Sequence, residues 1–115
     1  MQKYRCTALA TLFLSGITCS SQALAVTDQQ FDTIKRLGQL NATALNCQQV
    51  EEVRRIKRAL VYNLPKRRQL GEEFERITHD SFLALMKEQP ECPAPGVLGS
   101  RIDDAIEQLE QAFKK

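Results

Sequence analysis

Beyond residue 25, apolar residues recur at spacings of three and four, the period of helices that each bury one face. Phe31, Ile34, Leu37, Asn41 and Leu45 set the first stripe. Thr27, with Gln30 three residues on, has the form of a capping box and predicts where that helix starts; Asn46 marks its end. Gly38, Ala42 and Ala44 are small, so a neighbouring helix can approach closely on that side. Val50, Val53, Ile56, Leu60 and Leu64 predict a second helix over 48–64, which Pro65 stops. Its acids, Glu51 and Glu52, precede Arg54, Arg55, Lys57 and Arg58, an order that suits the helix dipole, and Glu51 is spaced to reach Arg55. Leu70, Phe74, Ile77, Ser81 and Leu85, widened by Phe82 and Met86, predict a third helix over 66–88. Pro90, Pro93, Pro95 and Gly96 predict an extended segment, after which Ser100 begins a last helix with Asp103 in its cap. Ile102, Ala105, Ile106, Leu109, Ala112 and Phe113 give that helix its apolar face. No strand-like alternation and no internal repeat appear. The expected fold is all-α, a compact bundle of about four helices.

The first 25 residues follow another pattern. Lys3 and Arg5 give a basic start, residues 6–19 carry no charge, and Ala23-Leu24-Ala25 supplies small residues at the positions a signal peptidase reads. This predicts a leader over 1–25, cleaved between Ala25 and Val26, and a working domain over 26–115. The apolar run is shorter than the roughly twenty residues a membrane span needs, so no span is expected once the leader is gone. Export predicts a periplasmic location, with the extracellular medium as the alternative.

Cleavage changes the charge. The whole chain has 16 basic and 14 acidic residues, a formal +2. Lys3 and Arg5 leave with the leader, so the working domain is neutral, and a whole-domain attraction to nucleic acid loses its basis. Four cysteines also become two, Cys47 and Cys92. In an oxidising compartment a distant pair in a small domain predicts a disulfide. It would close a loop of about 46 residues, which limits the unfolded chain by roughly 4 kcal/mol in the chain-entropy picture. Neither cysteine has the Cys-x-x-Cys setting of a redox site. The second and third helices, joined by almost nothing, are expected to form an antiparallel hairpin. That hairpin would bring the two cysteines to the same end.

The densest candidate feature is basic. Arg54, Arg55, Arg58, Lys66, Arg67 and Arg68, with Lys57 at the flank, fall in a stretch with no acid, and Tyr62 lies among them on the helical wheel. One reading is a docking face for an acidic partner, a phosphate-bearing ligand or an anionic lipid surface. The other is a solvated face balanced by Glu72, Glu73 and Glu75, since exposed charges contribute little individually. His79, the only histidine, neighbours Asp80 and Ser81, but adjacent helical side chains diverge by about 100° and cannot form a catalytic chain among themselves. It also lacks a second ligand at metal-binding spacing. No residue carries a catalytic, metal or cofactor assignment, and a non-enzymatic role is expected.

Three functional expectations follow. The first is an interaction protein of the bacterial cell envelope, docking the basic hairpin face on another envelope protein with an acidic face. A second rests on architecture: an exported helical chain with two distant cysteines resembles the small acid-stress chaperones of the bacterial periplasm, though in no motif. That resemblance implies apolar surface exposed once carboxylates are protonated. A carrier of a small ligand or lipid, with Phe31, Phe74, Phe82, Met86 and Phe113 lining a pocket, is the third.

Overall fold

The computed structural model of the chain describes residues 25–114, so most of the expected leader, residues 1–24, lies outside the described residues, and the cleavage expected at Ala25-Val26 is left open. Both arms of the capping box form: Thr27 Oγ1 accepts from the Gln30 amide at 3.0 Å and Gln30 Oε1 accepts from the Thr27 amide at 3.0 Å. From this cap runs helix α1, Asp28–Asn46, ending where Asn46 was expected to end it. Gln48 takes the left-handed conformation (φ 57°), and the Gln49 amide closes back on the Ala44 carbonyl at 2.8 Å. Helix α2, Val50–Asn63, returns along the bundle; Leu64 is extended and Pro65 prevents further winding. Helix α3, Arg68–Glu88, runs back and ends at Gln89, also left-handed (φ 49°).

The last helix starts earlier than the sequence reading placed it. Helix α4 spans Pro95–Ala112, with Pro95 and Gly96 in its first turn and Ser100 inside it. Proline suits that first position because the amide it lacks would be unpaired there, and its fixed φ is already helical. The earlier start buries Leu98 completely. Asp103 consequently lies a further two turns along and serves no cap.

The expected all-α bundle with one disulfide is present: among the described residues four helices and no strand are found. Ile34, Leu37, Ile56, Leu98, Ile102 and Leu109 are buried at its centre. α1 is the central helix and packs against each of the other three, and α2 also packs against α4. α2 and α3 do not pack as the expected hairpin, because no pair of their Cα atoms lies within 8 Å. The reason is on α1. Gly38 admits α3 so closely that a Cβ there would meet Ile77 Cγ2 at 2.8 Å. The stripe of α3 therefore faces α1 and does not turn to α2. Beside this contact Asn41 Nδ2 donates to Thr78 Oγ1 at 3.3 Å, both side chains being buried.

The expected bridge is formed between Cys47 and Cys92, with Cα atoms 5.8 Å apart. It ties the segment between α3 and α4 to the end of α1. At the opposite pole Gln30 Nε2 donates to the Ala112 carbonyl at 3.0 Å, joining the start of α1 to the end of α4.

Candidate functional site

The basic residues sit on α2 and on the turn that follows it, and the fold treats them differently. Leu60 and Ile56 are buried, which turns Arg54, Arg58, Val61 and Tyr62 outward. Leu64 packs on the core and anchors the turn. Beyond it Lys66, Arg67 and Arg68 are all exposed, with the Arg67 amide bonded to the Pro65 carbonyl at 2.7 Å.

Pairing then divides the set. Arg54 bridges to Glu51, one turn back. Arg55 reaches away from the patch: Nε donates to Glu52 at 3.0 Å, Nη1 to Asp103 of α4 at 2.5 Å, and Nη2 to the Gly99 carbonyl at 3.1 Å. Burial pulls the Arg55 guanidinium down, but its bonds to Asp103 and Glu52 and their charges outweigh that and hold it above its ordinary value. Lys57 spans the gap to α3 and meets Glu75 at 3.8 Å. The spacing that suggested Glu51 with Arg55 is therefore realised as two pairs at i,i+3, Glu51 with Arg54 and Glu52 with Arg55. By contrast the side chains of Arg58, Lys66 and Arg68 have no ion pair or hydrogen bond among the described residues. The site that remains is the last turn of α2 with the α2–α3 turn, and at its centre Val61 is 72% and Tyr62 82% exposed.

The sequence pattern groups Arg55 with the other cations of α2, whereas the structure turns it toward α4. Asp103 is 48 residues away, a partner that helical period on α2 alone does not reveal. Lys57 is balanced by Glu75, one of the three acids that follow the basic stretch.

The other candidates are scattered. His79 is exposed, and the Asp80 carboxylate beside it accepts from Arg76 at 3.2 Å. Arg76 also pairs with Glu73. The hydrogen bond from Arg76 holds the Glu73 carboxyl below the usual glutamate range, against an opposing effect of burial. These charges rim an open groove of about 700 Å³ between α1 and α3, with Phe31 and Ile77 in its lining. No group of three or more histidine, cysteine or acidic side chains able to hold a metal occurs among the described residues. Of the aromatic residues considered for a ligand pocket, Phe74 belongs to the core and Phe113 packs against it.

Comparison with protein-family models, with curated proteins and with solved structures finds no match to the chain.

Proposed function

We propose that this chain is an exported, non-enzymatic interaction protein of the bacterial cell envelope, acting in the periplasm. It docks an anionic partner through the basic and aromatic end of α2. The observation that carries this reading is the contrast within one run of cations. Arg54, Arg55 and Lys57 are answered inside the molecule, while Arg58, Lys66 and Arg68 are left unanswered beside an exposed Tyr62. Arginine and tyrosine are the residues that most often dominate binding energy at interfaces. The expected partner is an acidic envelope protein, and the unpaired cations support an anionic one.

Affinity capture from envelope extract tests the proposal. At low salt one stoichiometric partner should be retained, and raising the ionic strength should release it. The variant Arg58→Glu/Lys66→Glu/Arg68→Glu should capture nothing. Retention that is equal for wild type and variant would remove this face from the reading. A broad client set appearing after mild acidification would instead favour a stress chaperone, and a co-purifying small molecule a carrier.

A further inference from the structure

The geometry points to an anionic phospholipid surface as the partner of this face, met end-on by the pole of the bundle where α2 passes into α3. The inference rests on the docking reading above and names the partner's chemistry. Ion pairing removes the cationic excess from the flank of α2, so what remains gathers at the pole. Arg58, Lys66 and Arg68 carry it. Lys114 joins them across an open concavity of about 500 Å³ between the ends of α2 and α4. Tyr62, Leu64, Pro65 and Phe113 give that concavity its apolar lining, and Glu110 is the one carboxylate there. Val61 and Tyr62 are the two most exposed of the large hydrophobic residues.

The size of this feature separates the two classes of partner. A stable protein interface covers about 800 Å² on each side and engages roughly 20–30 residues. The unpaired basic and aromatic set is about half a dozen residues at one end. A bilayer needs no matching contour. It asks for cations within reach of phosphates and for an amphipathic ring at headgroup depth, which tyrosine supplies. No described helix is long and apolar enough to cross a membrane, so the contact is peripheral. At the opposite, disulfide end Glu51 is paired with Arg54, and Lys87 stands with Glu88 and Glu91, so no comparable cluster of unpaired cations competes for the surface there among the described residues.

The chain has no tryptophan, so Tyr62→Trp places a single emitter in the site. The full chain carrying this change is mixed with vesicles of phosphatidylcholine alone, or of phosphatidylcholine with phosphatidylglycerol, and assayed by flotation and emission. Uptake by the anionic vesicles only, a blue shift of the emission and release by high salt are expected. Each cation near an anionic surface contributes about five-fold, so Arg58→Gln/Lys66→Gln/Arg68→Gln should weaken uptake about 100-fold. A matched change of exposed cations elsewhere, Lys35→Gln/Arg36→Gln/Arg101→Gln, should leave the emission shift in place. Equal uptake by both vesicle types overturns the inference, as does anionic uptake with unshifted emission. If vesicles are ignored while an acidic protein is captured in a salt-sensitive way, the docking reading stands and the lipid assignment falls. If neither is bound, both fall.

Discussion

A methyl group added at Gly38 would lie 2.8 Å from Ile77 Cγ2 and 3.3 Å from the Phe74 carbonyl, so α3 would have to retreat from α1. At Gly71 the same methyl meets nothing within 4 Å. The two substitutions to alanine therefore differ in effect although both sites are helical. Gly71→Ala should stabilise by up to about 1 kcal/mol, the helix preference of alanine over glycine. Gly38→Ala gains the same preference but overpacks a close contact, which costs about 1–3 kcal/mol and leaves it neutral to destabilising. Urea unfolding midpoints of the two variants measure this, and two stabilised proteins would mean that α3 gives way freely. The small residues of the first stripe were legible as permission for a close approach. Which helix takes it was not, because helical period fixes the face of a residue and leaves its neighbour open. The same limit applies to Asn41, which the stripe included as a core position. It is 1% exposed and bonded to Thr78, a residue that stood in no stripe.

At the scale of the element, local rules worked where a segment decides its own fate. The capping box at Thr27, the stop at Pro65 and the apolar faces are all properties of a few neighbouring residues. The start of α4 shows where such rules divide: proline within a helix breaks it, and proline at its first position begins it. Reading Pro95 in the second sense also brings Gly99 into the helix and takes Asp103 out of the cap, and Arg55 of α2 binds both. Arg55→Met should loosen the α2–α4 contact and lower stability by about 1 kcal/mol, since the guanidinium is one-third exposed and solvent screens the pairs. A double-mutant cycle with Asp103→Asn should return a coupling of that order, and additive losses would show that the pair is idle. On α3 the Glu73 carboxyl is depressed by its bond from Arg76. A depressed acid contributes fully above its unfolded-state value, about 4.3 for glutamate, and loses that contribution as pH falls through the folded value. Glu73→Gln should therefore lose stability less steeply than wild type as the pH drops from about 5 to about 3. Parallel curves from urea titrations over that range would show that the pair contributes nothing.

For the whole molecule, the disulfide was readable because the expectation of export, small size and two distant cysteines all lead to the same bond. The arrangement it serves was not. With α3 packed against α1 and having no Cα atom within 8 Å of α2 or α4, this helix has its close backbone packing along one side. Its two ends are the short turn after Pro65 and the segment that carries Cys92. The bridge to Cys47 therefore does more than limit the unfolded chain. It fixes the segment after α3 against the end of α1. Cys47→Ser/Cys92→Ser should lower the unfolding free energy by up to about 4 kcal/mol, the chain-entropy value for this loop length. The loss should also be unevenly distributed. Amide exchange should accelerate most in the last turns of α3 and in the first turn of α4. The contact of Gly38 with Ile77, near the middle of α1, should keep its protection until global unfolding. Hydrogen exchange on the oxidised protein and on this variant separates the two effects. Uniform acceleration across all four helices would mean that the bond acts on the unfolded state alone, and that the contact with α1 suffices to hold α3 in place.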